Sequence, residues 1–405
     1  MRTSPTHALC VNRITLFMTN KTQRLYSIDA FRAITMLLMI FVNDVSSVSH
    51  IPSWIGHVSA DTDGMGFADT VFPSFLFIVG LSLPHAIGYR LKKQQSFLSI
   101  ASHIFLRSLA LIVMGFFHVN LESYNDAAVL PYPVWELVIT VAFFLIWLDY
   151  PDTLSRKLRY SLIGVGIAAL VAMAWLYKGG EPGHPHWMEQ SWGGILGIIG
   201  WAYLVSALVF LLVRGQFGWL LGATFLFLAI NIGTHGGWWH VQLPVIGDAS
   251  AIVLVMGGTV ISVCYSRLLA QQRLVWPVLT IAGVIAIVLG FIVRPYTGGI
   301  SKIGATPAWV LICGGISILV FELLIYVVDV CGKTRWYRLI RSGGTATLTC
   351  YLMPYLFYSL MMLAGISLPA WFNTGIGGIL RSFAIALLLI MLAGWMEKKH
   401  LKLKI

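Results

Sequence analysis

Residues 24–84, RLYSIDAFRAITMLLMIFVNDVSSVSHIPSWIGHVSADTDGMGFADTVFPSFLFIVGLSLP, place a polar loop carrying histidines between two apolar segments. The first segment has spanning length, and Asn43, Asp44, His50, His57 and Asp69 crowd the junctions with the loop. Strongly polar groups at the ends of membrane helices are costly to desolvate, so such a cluster marks a functional region.

The rest of the chain repeats the apolar theme. Of 405 residues, 58% are hydrophobic and 11% charged, against about a quarter charged in soluble globular domains. This composition predicts an all-α polytopic membrane protein. Apolar runs that suit a hydrocarbon core of ~30 Å fall near 28–47, 69–89, 101–119, 131–149, 159–177, 193–213, 217–232, 248–266, 274–293, 306–328, 345–364 and 376–396, a bundle of about twelve transmembrane helices.

Basic residues set the orientation. If the first helix starts in the cytoplasm, all 27 Lys and Arg lie at or beside cytoplasmic ends except Lys178, Arg294, Lys302 and Arg381. The positive-inside rule then predicts that both termini are cytoplasmic. The net charge of +11 is mainly this topogenic signal, so nucleic acid is not an expected partner and the lipid bilayer is. Residues 1–23 form a polar cytoplasmic tail in which Met18 offers a second possible start, and 24–405 form the membrane domain. No cleavable signal peptide is expected. Cys10, Cys264, Cys313, Cys331 and Cys350 show no paired spacing and are assigned to packing.

Arg24-Leu25-Tyr26-Ser27-Ile28-Asp29-Ala30-Phe31-Arg32, Met39-Ile40-Phe41-Val42-Asn43, and Phe67-Ala68-Asp69-Thr70-Val71-Phe72-Pro73 leading to Phe75-Leu76-Phe77-Ile78-Val79-Gly80 resemble, in order and spacing, the heparan-α-glucosaminide N-acetyltransferase family and its bacterial relatives. A second likeness runs through Ile300-Ser301-Lys302 and Ala305-Thr306-Pro307-Ala308-Trp309 to Val327-Val328-Asp329-Val330. The resemblance implies a ten-helix core, here with helices four and five as an extra pair. It also implies transfer of acetyl from cytoplasmic acetyl-CoA, as co-substrate, to the amino group of a terminal glucosamine across the membrane. Asn43 matches a family active-site Asn, His57 best matches the loop His with His50 second, and Asp69 matches a family Asp. The eleventh helix lacks a family His, and the stretch of about 131–190 falls outside the likeness.

The chemistry fits those residue types. Acyl transfer to an amine needs a base and a donor for the developing oxyanion. A neutral imidazole serves as base and an Asn amide as donor, so His57 is read as base and Asn43 as oxyanion donor, with Asp69 as the supporting acid that orients His57 or holds the acceptor ammonium. An acetyl-His route stays open. The structural alternatives are a solvated loop histidine for His57, a helix cap for Asn43 and an N-cap for Asp69. Asp44 reads as a solvated helix-end charge.

On the cytoplasmic side, Asp29 and Arg32 share a helical face at ion-pair spacing. They read as a structural pair at the cytoplasmic entrance, with acetyl-CoA contact as the alternative, and Lys92, Lys93, Arg338 and Arg341 are the candidates for holding the acetyl-CoA phosphates, although topology alone also explains the basic residues. Outside, His50, Trp238, Trp239, His240 and Lys302 are candidates for the acceptor, the tryptophans by stacking on a sugar ring or as interface anchors. His184, His186 and His235 lack the carboxylate spacing of a metal site, and no metal is expected. Glu136 and Glu322 fall in helices, which implies paired or cavity-facing roles. A sugar transporter and a polysaccharide O-acetyltransferase are the alternative functions, and a homodimer is possible. The expected location is an integral membrane, the inner one if the chain is bacterial.

Overall fold

The computed structural model describes residues 25–181, 183–238 and 245–405. The polar tail 1–23, with Cys10, and the acceptor candidates Trp239 and His240 lie outside the described residues. Among the described residues the architecture is helical, with isolated bridges in place of strands. In chain order the main helices are α1 Tyr26–Val45, α2 Ala68–Lys92, α3 Phe97–Val119, α4 Tyr132–Trp147, α5 Arg156–Leu176, α6 Gly194–Leu212, α7 Phe217–His235, α8 Ser250–Leu268, α9 Gln272–Val293, α10 Pro307–Leu324, α11 Thr347–Leu363 and α12 Gly375–Lys398.

Each expected apolar run is a helix. Among the described residues nine of them are long and apolar enough to cross a membrane: α2, α3, α5 to α10 and α12. Helices α4 and α11 are apolar but shorter, at 16 and 17 residues. Helix α1 carries Asp29, Arg32 and Asp44 along its 20 residues. The chain is a multi-pass membrane protein, and length and hydropathy account for nine of the twelve expected crossings.

The chain divides into two compact units. The first comprises residues 1–39, 52–104 and 202–344. Its centre is the crossing of α2 and α8. Added to Gly80, a Cβ would overlap the Val255 carbonyl, and one on Gly258 would overlap the Phe77 carbonyl. Only glycine lets the two backbones approach so closely, and small residues at crossings are how membrane helices pack without a hydrophobic drive. The Thr259 hydroxyl donates to the Gly80 carbonyl at 3.2 Å across the same crossing.

The beginning of α1 is tied into this unit. The first N–H groups of a helix have no partner within it, and here Tyr26 and Ser27 donate theirs to Asp329 Oδ1 at 3.1 and 3.3 Å. Asp329 is carried by the π-helical segment Ile325–Val330 that continues α10. Arg32 lies 3.8 Å from Asp29, donates to the Gly344 carbonyl at 2.9 Å and reaches Ser82. Glu322, whose partner is not evident from sequence, accepts from Thr280 at 2.8 and 3.1 Å.

The second unit comprises residues 40–51, 105–201 and 345–405. Here α4 and α5 pack side by side and α11 packs on α4 and α12. Trp135 on α4 is fully buried and donates to the Met173 carbonyl of α5 at 2.9 Å. Glu136 is buried and accepts from Ser359 and, at 3.4 Å, from Tyr132. Asp44 departs from the sequence expectation of a solvated charge. It is buried against Arg381 at 3.1 Å and Tyr358, because a helix-end carboxylate removed from water requires charged or hydroxyl donors.

Candidate active site

The candidate site in the first unit is built on the loop between α1 and α2. That loop closes on itself where Phe67 N–H donates to the Trp54 carbonyl at 2.7 Å and Ala68 N–H to Ile55 at 3.2 Å. Gly66 sits at the pinch, where a Cβ would overlap the Gly56 carbonyl. The closure delivers His57 to the start of α2, where Asp69 occupies the first turn with 1% exposure.

Asp69 is not the N-cap of α2. Phe67 holds that position without a side-chain cap. The Asp69 carboxylate instead gathers the loop: Oδ1 accepts from His57 Nδ1 at 2.7 Å, and Oδ2 accepts from Val58 N–H at 3.1 Å and Gly66 N–H at 2.9 Å. Three N–H donors fit an ionised, acceptor-only carboxylate. The proton of a neutral His57 therefore sits on Nδ1, and Nε2 keeps its lone pair. The His57 side chain is 33% exposed. A histidine oriented through one nitrogen by a buried carboxylate is the arrangement that general-base catalysis requires.

A second loop, between α9 and α10, is sewn to the first. Asp63 accepts from Arg294 Nε at 2.9 and 3.1 Å and from Ile300 N–H at 2.7 Å, and Gly64 N–H donates to the Ile300 carbonyl at 3.0 Å. The Ile300 hydrogen bond, then the Arg294 guanidinium, hold the Asp63 carboxyl below the usual carboxylate range. Gly299 has φ +82° and lies against the Asp63 side chain, a left-handed position with no room for a Cβ. Trp309 at the start of α10 donates Nε1–H to the Asp69 carbonyl at 3.0 Å.

This stitching brings Lys302 to His57. Lys302 Nζ lies 3.2 Å from Nδ1 and 3.5 Å from Nε2. Burial lowers the pKa of the Lys302 ammonium from its ordinary value, an effect partly offset by the Asp69 carboxylate. Two further contacts fasten the same loop: His235 places its ring nitrogens on the Asn231 and Gly304 carbonyls at 2.9 and 2.7 Å, and Asn231 donates to the Asp248 and Ala305 carbonyls. His235 is therefore a structural fastener here.

The other sequence candidates make different contacts. His57, Asp69 and Lys302 are brought together within the first unit, whereas Asn43 and His50 belong to the second. Asn43 is exposed in the last turn of α1, where its carbonyl accepts from Ser46 at 2.6 Å. His50 is exposed with φ +56° beside Ser49, which pairs with Asn373 and Gly375. Trp238 is exposed at the end of α7. Asp29 and Arg32 form the spaced ion pair. Lys92, Lys93, Arg338 and Arg341 are exposed, Lys93 lying over the Tyr89 ring at 4.6 Å. His186 donates to the carbonyl of its neighbour Trp187 at 2.7 Å. Among the described residues no group of three His, Cys, Asp or Glu is placed to hold a metal ion.

Sequence reasoning did not single out Asp63, named Trp309 only within the second likeness, and took Arg294 only as a charge on the wrong side. The signal was present, since an arginine at an outer helix end runs against the topogenic pattern.

A family model described as a domain of unknown function, DUF5009, matches residues 24–235. The heparan-alpha-glucosaminide N-acetyltransferase of Mus musculus is 30% identical over 149 residues, covering 34% of this chain and 22% of the relative. The Homo sapiens protein of the same name is 36% identical over 97 residues, covering 24% of this chain and 14% of the relative. The match thus spans less than a quarter of the length of either curated relative.

Proposed function

The chain belongs to the DUF5009 family, and we propose that it is a membrane acetyltransferase that moves acetyl from cytoplasmic acetyl-CoA to the amino group of a glucosamine-type sugar at the outer face. The observation that carries this reading is the 2.7 Å contact of His57 Nδ1 with the buried Asp69 carboxylate, in a loop whose motif resembles that of the named acetyltransferases. His57 Nε2 takes the proton of the attacking amine. Asp69 holds the ring in the productive tautomer and stabilises the imidazolium that forms. Asn43 is assigned the oxyanion-donor role from its place in the shared motif alone.

The topology belongs to the same proposal: twelve crossings, both termini in the cytoplasm and the His57 loop outside, as the basic residues imply. The exposed Lys92, Lys93, Arg338 and Arg341 then face the side where acetyl-CoA phosphates are available. The pantetheine arm has to enter the helix bundle to bring its thioester toward an outer site.

The reading is tested by incubating purified protein with acetyl-CoA and glucosamine and analysing the sugar by mass spectrometry and hydroxylamine treatment. A hydroxylamine-resistant N-acetyl product is expected. A hydroxylamine-labile product moves the acceptor to a hydroxyl, and sugar uptake into vesicles without thioester consumption identifies a transporter instead.

A further inference from the structure

Lys302 enters the site in a way that its reading as an acceptor contact leaves unexplained. Its Nζ stands 3.2 Å from Nδ1 and 3.5 Å from Nε2 of His57, close to both ring nitrogens at once. The Nδ1 proton is committed to Asp69 at 2.7 Å, so Nδ1 has no lone pair for Lys302. Nearly equidistant from the two nitrogens, Nζ lies off the in-plane lone-pair direction of Nε2, which stays open for the amine proton. An ammonium in this position also opposes a cationic acceptor, which argues against a purely binding role.

Acyl transfer from a thioester has two proton requirements. The attacking amine must lose a proton, and the departing thiolate gains one. His57 answers the first. Lys302 carries a proton within reach of the same reacting centre, and a partly desolvated lysine gives up its proton more readily than a fully exposed one. Its loop is held by the Asp63, Arg294 and Ile300 contacts.

We propose that Lys302 is a catalytic residue, the general acid that protonates the departing thiolate beside the base His57. In this cycle the amine nitrogen attacks the thioester carbon and its proton passes to His57 Nε2. The C–S bond breaks, and the sulfur takes a proton from Lys302 Nζ. The imidazolium then gives its proton to solvent and the neutral Lys302 amine takes one up from solvent. The sum is acetyl thioester plus amine giving amide plus free thiol, with both residues restored. This role rests on the acetyltransferase reading given above.

The experiment compares wild type, Lys302→Met and Lys302→Arg for CoA release from acetyl-CoA with glucosamine across pH. In wild type the rate falls at alkaline pH as Lys302 loses its proton, and burial brings that fall below the ordinary lysine range. In Lys302→Met the rate drops about 100-fold or more and that alkaline limb disappears. Lys302→Arg stays as slow as Lys302→Met, because a guanidinium keeps the charge but does not release its proton.

A second readout is independent of turnover. Acetic anhydride labelling of Lys302, followed by peptide mass spectrometry, should reach half its maximum at a lower pH than an Nα-acetyl-lysine standard. Full activity in Lys302→Arg, an alkaline limb retained in Lys302→Met, or labelling at the pH of the standard overturns the role. Wild-type protein that releases no CoA under any condition overturns the acetyltransferase reading itself, whatever the variants do.

Discussion

Asp69 Oδ1 accepts from His57 Nδ1 at 2.7 Å, while the second oxygen of the same carboxylate ties down Val58 and Gly66. One buried side chain therefore shapes the loop and sets the tautomer of the base. The two functions can be separated by substitution, because an amide keeps the size of the group but not its acceptor-only character.

Asp69→Asn is expected to lower kcat/KM by about 100-fold or more, since the amide can present an N–H to Nδ1 and turn the imidazole into the wrong tautomer. Steady-state CoA release checks this, with the thermal midpoint in detergent as the folding control. Activity within a few-fold of wild type would remove Asp69 from the mechanism.

Asp63 makes the contact between the two loops pH-dependent. Its folded-state pKa is depressed by the Ile300 hydrogen bond and by Arg294, so its contribution is fully present above the ordinary carboxylate pKa of about 3.9 and is lost as pH falls through the lower folded value. Hydrogen exchange in peptides covering 58–66 should therefore accelerate in acid, beyond the intrinsic rate change. In Asp63→Asn it should already be faster than in wild type at neutral pH.

Asp44 and Arg381 are 6% and 10% exposed at their side chains and lie 3.1 Å apart. Removing one partner strands the other charge, which typically costs about 3–5 kcal/mol. Asp44→Ala should lower the thermal midpoint markedly. The double variant Asp44→Leu with Arg381→Met should recover much of the loss, and a double variant no better than the single one would contradict the pairing.

Gly80→Leu or Gly258→Leu should be more damaging than ordinary overpacking of about 1–3 kcal/mol, because the added atoms meet backbone carbonyls rather than movable side chains. Loss of a monodisperse peak in size-exclusion chromatography is the expected outcome. The same substitution at Gly222, where a Cβ meets nothing within 4 Å, should leave that peak intact.

Much of this organisation was legible in the sequence because membrane helices advertise themselves. Every expected apolar run is a helix, and where the expected number of crossings exceeded those accepted on length and hydropathy, α4 and α11 are short and α1 carries charges. The positive-inside pattern held further information in its exceptions. Of the four basic residues assigned outside, Arg294 meets Asp63, Lys302 meets His57 and Arg381 meets Asp44.

The motif spacing brought His57 and Asp69 to attention together, and their contact is direct. The burial of Asp44 was not legible, since its partners Tyr358 and Arg381 are more than 300 residues away in the chain. Nor was the fastening role of His235, which depends on backbone carbonyls that no side-chain pattern records.

The central claim is that His57 is the base of a glucosamine-dependent acetyl transfer. It is tested most directly by measuring CoA release from acetyl-CoA by detergent-purified protein, with and without glucosamine, in wild type and in His57→Ala. Release that depends on glucosamine in wild type and is lost in His57→Ala is the predicted result. Release unaffected by glucosamine, or fully retained in His57→Ala, would contradict it.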